Sequence, residues 1–111
     1  MSDCLFCKIL DGDVPSEEVG SNDHAYAFRD VSPQAPTHVL VIPRRHEPDV
    51  GSLVEADPEA AVGVLGLAKQ VADEVGGSYR LVFNTGADAH QTVFHCHAHV
   101  LAGRPLGWPP G

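Results

Sequence analysis

His95-Cys96-His97-Ala98-His99-Val100-Leu101 is the stretch on which the fold and the chemistry of this chain turn. As a β-strand, its period of two sets His95, His97 and His99 on one face and Cys96, Ala98 and Val100 on the other. A row of three titratable rings is a poor way to build either a core or a surface, so the pattern points to chemistry. Two kinds are open. The imidazoles could hold zinc, or a neutral imidazole could attack phosphorus and later leave. Spacing alone does not choose between them.

Outward from this stretch the chain alternates apolar runs and turn clusters. Residues 94–101 and 79–83 read as strands separated by a Gly/Asp/Ala loop at 85–90. The strongest helix signal opens at Asp57-Pro58, an N-cap followed by a proline suited to the first helical position. Ala61, Val64, Leu65, Ala68, Val71, Ala72 and Val75 then form one stripe, and Gly76-Gly77 ends it. Residues 37–42 lie between Pro36 and Pro43, and their continuously apolar, β-branched run Val39-Leu40-Val41-Ile42 predicts a strand buried on both faces. Residues 17–21 and 25–29 read as brief strands around Asn22-Asp23, residues 4–10 as two helical turns, and the Pro-rich tail from Arg104 as irregular. Strands before and after one long helix, joined by short links, predict an α+β domain with a mostly antiparallel sheet.

The 111 residues carry 7 Lys+Arg against 15 Asp+Glu, a net charge of −8, and 7 His. Such a chain has no electrostatic footprint for a nucleic-acid polymer or an anionic membrane. The longest apolar or glycine run, residues 60–68, is too short to span a bilayer, which takes about 20 residues. The N-terminus has neither a basic region nor an apolar signal core. Three cysteines, two of them in Cys4-x-x-Cys7, suit a reducing, cytoplasmic setting and a metal or redox role better than a disulfide framework, and two cysteines make only half of a tetrahedral metal site. A chain this small buries little surface, so a metal or a second subunit is expected to supplement it.

The pattern His-φ-His-φ-His-φ-φ at 95–101 resembles the signature of the histidine-triad (HIT) superfamily. Cys4-Leu5-Phe6-Cys7-Lys8-Ile9-Leu10, the run from Phe28-Arg29-Asp30 through Thr37-His38 to Pro43, Asn84-Thr85-Gly86 and Trp108-Pro109-Pro110-Gly111 look like its nucleotide-binding (Hint) branch of purine nucleoside phosphoramidases. The resemblance covers nearly all of residues 1–111, taken as one HIT domain. It implies a five-stranded antiparallel sheet with two helices, and a homodimer with a continuous ten-stranded sheet. It also implies hydrolysis of a purine nucleoside phosphoramidate without a catalytic metal. Dinucleoside polyphosphate hydrolysis, or a nucleotide-binding adaptor with incidental activity, are the alternatives.

Residue by residue, the resemblance makes His97 the nucleophile, His99 a partner of the phosphate oxygens or leaving group, and His38 an orienting ring behind the nucleophile. Asn84, Gln91 and Thr92 match the phosphate loop, and Asp30 the holder of the ribose hydroxyls. Phe6, Ile9, Phe28 and Val31 would wall the base slot, and Trp108 would pack near the site, its own or that of the other subunit. By similarity to related bacterial proteins and to galactose-1-phosphate uridylyltransferases, Cys4, Cys7, His46 and His95 would hold a structural zinc. Cys96 would be a small buried apolar residue. Arg29 stands where this branch often has His, and His90 where Gly is common. Neither departure touches His97 or His99.

Overall fold

The computed structural model describes residues 3–111. Five strands form one antiparallel sheet: β1 (Glu18–Ser21), β2 (Ala25–Arg29), β3 (Thr37–Pro43), β4 (Tyr79–Val82) and β5 (Ala98–Ala102), in the order β1-β2-β3-β5-β4. β3 lies at the centre and is buried from His38 to Pro43. Its apolar, β-branched run has no polar side to show water, which fits a strand covered on both faces.

One cover is α3 (Pro58–Val75), capped by the Asp57 carboxylate accepting from the Ala60 amide. Its buried face comprises Ala60, Ala61, Val64, Leu67, Ala68, Val71 and Ala72, packed with Val39, Val41, Cys96, Ala98 and Val100. The stripe read from sequence is therefore corrected at two positions. Leu65 and Val75 are 47% and 43% exposed, and Ala60 and Leu67 take their places. The helix offers two overlapping apolar rows, and contact with the sheet selects one of them.

The opposite face is covered by α1 (Leu5–Leu10), whose Phe6 and Ile9 pack with Phe28, Leu40 and Ile42. A third helix, α2 (Val50–Ala56), stands between β3 and α3, so the described residues form three α-helices where two were expected. It has Asp49 as N-cap and only Leu53 buried. The expected strand at 94–101 is shorter and later, because ladder pairing begins at Ala98 and runs to Ala102. Before it, the Cys96 amide donates to the Glu47 carbonyl at 2.7 Å, outside the sheet. The in-and-out alternation survives nonetheless, with Cys96, Ala98 and Val100 facing α3.

Candidate active site and metal centre

β5 and the segment before it deliver the three rings to the α1 side of the sheet. His97 lies edge-on to Phe6, ring centroids 5.0 Å apart, and beside His99, also at 5.0 Å. Hydrogen bonds fix which nitrogen of each ring carries the proton. The His97 Nδ1–H donates to the His95 carbonyl at 2.8 Å, so its Nε2 keeps a lone pair. The Gln34 amide donates to His38 Nδ1 at 3.0 Å, which puts the His38 proton on Nε2. That proton points at His99 Nδ1, 2.9 Å away, with an Asp30 carboxylate oxygen at 3.4 Å. His99 is then left with its proton on Nε2, a buried atom with no partner among the described residues.

The two rings open on a cleft of about 490 Å³. Phe6, Ile9, Phe28 and Leu40 give it an apolar floor, while Asp30, Thr92, Arg29 and Glu17 supply polar groups. A mostly apolar cleft with a few convergent polar groups suits a flat organic ligand carrying one charged end.

His95 faces elsewhere. Its Nε2–H donates to the Pro43 carbonyl at 2.9 Å, leaving the Nδ1 lone pair directed at a second cluster. Cys4 Sγ lies 3.3 Å and Cys7 Sγ 3.6 Å from that nitrogen, with His46 Nδ1 at 3.0 Å. Cys7 Sγ and His46 Nδ1 are 3.5 Å apart, and all four ligand atoms lie within 4.8 Å of one another. A tetrahedral ion bound by nitrogen and sulfur at about 2.0–2.3 Å spaces its ligand atoms about 3.3–3.8 Å apart. The residues fit such an ion, and two thiols with two imidazoles are the donors it takes. Asp30, His38 and His99 also converge within this range, but the hydrogen-bond chain just described accounts for their closeness.

The HIT domain profile matches residues 11–106 of the chain. An uncharacterized HIT-like protein of Synechocystis is 44% identical over 111 residues, covering 98% of this chain and 97% of that protein. The chain belongs to the HIT family. Among solved structures, a HIT family hydrolase from Legionella pneumophila is similar with a TM-score of 0.92 and 43% identity, over 98% of this chain and 100% of that one. A histidine triad nucleotide-binding protein from Candida albicans has a TM-score of 0.82 and 30% identity, over 96% of this chain and 83% of that one.

Against this HIT framework, most of the residues expected at the site converge. Phe6, Ile9, Phe28, Asp30, Val31, Thr92, His97 and His99 all border the cleft. Val31 does so from the rim, 97% exposed. Asn84 and Gln91 are not among the lining residues. The Gln91 amide instead binds the backbone, donating to the Pro48 and Val93 carbonyls and accepting from the Gly86 amide. It fixes the 85–92 loop from behind. His38 lies behind His99 and not, as expected, behind His97. The backbone carbonyl of His95 orients His97 instead. Trp108 is 82% exposed within the chain, so no packing near this site is seen.

Sequence reading missed Leu40, Glu17 and Ser16 at the cleft. Leu40 could have been found from its even spacing with His38 on one strand. Glu17 had no such signal, because its place follows from an ion pair with Arg29 across the β1–β2 edge, at 2.8 Å.

Burial is the first cause of each histidine shift in the HIT site. It lowers His38, against the raising effect of Asp30, and lowers His95 and His97 against their hydrogen bonds to carbonyls. His99 is pushed down to about 4 by burial and then by the neighbouring His97 and His38 rings. At neutral pH all four rings are uncharged, as the lone pairs and donors above require. Burial pushes the Cys96 thiol up to about 12, an inert packing group.

Proposed function

We propose that this chain hydrolyses purine nucleoside phosphoramidates through a nucleotidyl-histidine intermediate on His97, with residues 1–111 acting as one HIT domain. The observation that carries the reading is the opposite polarity of two rings in one cleft. His97 offers a lone pair and His99 an unpartnered N–H, with the Asp30 carboxylate beside them. The names of the Legionella and Candida proteins, a hydrolase and a nucleotide-binding protein, support a hydrolytic reaction and a nucleotide ligand.

In this reading the base lies in the slot walled by Phe6, Ile9, Phe28 and Val31. Asp30 has one oxygen accepting from the Ser32 amide, and its remaining lone pairs suit the ribose hydroxyls. His97 Nε2 attacks the α-phosphorus, the P–N bond breaks, and the departing amine takes a proton from solvent. The phosphorylated ring is cationic, and its Nδ1–H remains bound to the His95 carbonyl. Water then attacks phosphorus, the P–Nε2 bond breaks, a proton leaves, and neutral His97 and the nucleoside monophosphate result. A ring held near 4 is a poor proton store at pH 7, so His99 serves as a donor to the phosphoryl oxygens and not as the acid. Thr92 and Asn84 would add neutral donors, with Gln91 shaping the loop that carries Thr92. An anion held by rings and dipoles explains how a chain of net charge −8 binds a nucleotide.

Cys4, Cys7, His46 and His95 would hold zinc. Four protein ligands leave no open position, so its chemistry would be structural, tying the start of α1 to the sheet. β4 is an edge of the sheet and would join its copy in a homodimer, giving ten strands. The thiols suit a cytoplasmic setting.

Wild-type protein given adenosine or guanosine 5′-phosphoramidate should release the nucleoside monophosphate, with a nucleotidyl adduct on His97 visible by mass spectrometry after an acid-free quench. His97→Asn should lower kcat by about 10³-fold or more. Equal rates for the two proteins would overturn the mechanism, and faster turnover of dinucleoside polyphosphates would reassign the substrate.

A further inference from the structure

The residues just after β5 reach back to the hydrogen-bond chain of the cleft. Gly103 has φ of 97°, and a Cβ there would lie 2.8 Å from Pro36 Cβ, so the backbone presses on the loop preceding β3. Arg104 then turns its side chain onto the same loop. Its Nε and Nη2 donate to the Gln34 carbonyl at 3.2 and 2.9 Å, and its Nη1 donates to the Pro105 carbonyl at 2.9 Å. Gln34 is the residue whose amide donates to His38 Nδ1. Two donors converging on its carbonyl hold the peptide that follows Gln34, and through the φ and ψ of that one residue they restrain the amide that precedes it.

That amide decides more than the pose of one ring. While it donates to His38 Nδ1, His38 must carry its proton on Nε2, His99 Nδ1 must accept, and the buried His99 Nε2 must be a donor. With the amide withdrawn, the pair can invert. His38 would then carry its proton on Nδ1 and accept from His99 Nδ1–H, and His99 would present a lone pair to the phosphoryl oxygens. The same two rings would repel the group they now attract.

We propose that Arg104 is a positioning residue: through the Gln34 carbonyl it fixes the tautomer of His38, and thereby keeps the His99 proton on Nε2. Its effect on turnover rests on the phosphoryl-donor role proposed above for His99; its effect on the tautomer does not.

Arg104→Ala should lower kcat for a nucleoside phosphoramidate about 10-fold or more, part of the ~10²–10³ that losing an oxyanion donor costs. KM should stay within about threefold, because the base and ribose contacts are untouched. Added guanidinium should restore part of the rate. Arg104→Lys, with a single ammonium in place of a fork, should fall between wild type and Arg104→Ala. Arg80→Ala is the control: it breaks the other arginine contact to this tail, Arg80 Nη2 to the Gly107 carbonyl at 2.8 Å, and should leave kcat unchanged.

Nitrogen-15 spectra of the imidazoles need no turnover. Wild type should show both His38 and His99 protonated at Nε2, and Arg104→Ala should show exchange with the Nδ1-protonated forms. Unchanged ring spectra in Arg104→Ala, a wild-type kcat, or an equal loss in Arg80→Ala would overturn the proposal. A wild-type protein that leaves phosphoramidates intact would refute the phosphoramidase reading, and the ring spectra would still decide the role of Arg104. Should Arg104→Ala not fold, Arg104→Lys is compared by the same spectra, and a wild-type tautomer with reduced kcat there would also overturn it.

Discussion

Acidification tests whether His99 remains a neutral donor. Burial, then the His97 and His38 rings, push it from the ordinary 6.5 to about 4. At pH 5.5 a ring titrating at 6.5 would be about nine-tenths protonated, and one titrating at 4 about 3% protonated. The difference of roughly 2.5 units corresponds to about 3 kcal/mol, reduced to about 2 kcal/mol because the ring borders a solvent-filled cleft that screens it.

Unfolded, His99 takes a proton below about pH 6.5, whereas the folded ring refuses one until about 4. The unfolded state therefore binds more protons in that window. The contribution of His99 is fully present above about pH 6.5 and is lost as pH falls towards 4. His38 and His97, lowered by burial, add to the same slope. Proton–carbon spectra of the His99 ring should stay flat from pH 8 to about 5. Urea denaturation should show stability falling with pH across this window, more shallowly in His99→Phe by up to about 1.4 kcal/mol per pH unit. A His99 ring that titrates at 6 or above, or identical slopes for the two proteins, would refute the reasoning.

Wild type is expected to carry about one equivalent of zinc per chain by elemental analysis, and Cys4→Ser to lose it and to lower the thermal midpoint, whereas a metal-free wild type of unchanged stability would remove the site. Gly63→Ala should destabilise by about 1–3 kcal/mol in urea. The new Cβ would meet His24 Cβ at 2.6 Å, and the turn cannot retreat because Asn22 Nδ2 donates to the Gly63 carbonyl at 3.0 Å.

Patterns carried by one element were legible, and patterns that need two elements were not. The alternation at 95–101 separates packing residues from rings even ahead of Ala98, where no ladder has yet formed. β3 announced itself by composition, and the start of α3 by Asp57-Pro58. α2 escaped because one buried leucine in seven residues makes no period, although Asp49 was a usable N-cap signal. The link between His38 and His99 depends on the β3–β5 register, which pairs Leu40 with His99 and His38 with Leu101. That register leaves the two rings diagonal neighbours on one face, a placement that one strand's sequence does not contain. The Cys/His cluster is similar. Cys4 and Cys7 suggest half a site, and His46 and His95 join it only through the fold, so a family resemblance was needed to name them.

α1 ties the two centres together. Six residues form too short a helix to persist on their own, so its position comes from what it touches. Cys4, its N-cap, and Cys7 belong to the Cys/His cluster, while Phe6 and Ile9, from the same two turns, floor the cleft. Phe6 meets both histidine functions edge-on, with its centroid 5.8 Å from His95 and 5.0 Å from His97. The first ring of the triad thus faces the thiols and the second faces the cleft, and one phenylalanine packs on both. Loosening the cysteines should displace the wall of the base slot before it disturbs His97, whose Nδ1–H is held by the backbone of its own strand. Metal loss should accordingly raise KM for a nucleotide substrate more than it lowers kcat. Were the cluster unconnected to the cleft, Cys4→Ser would alter stability alone.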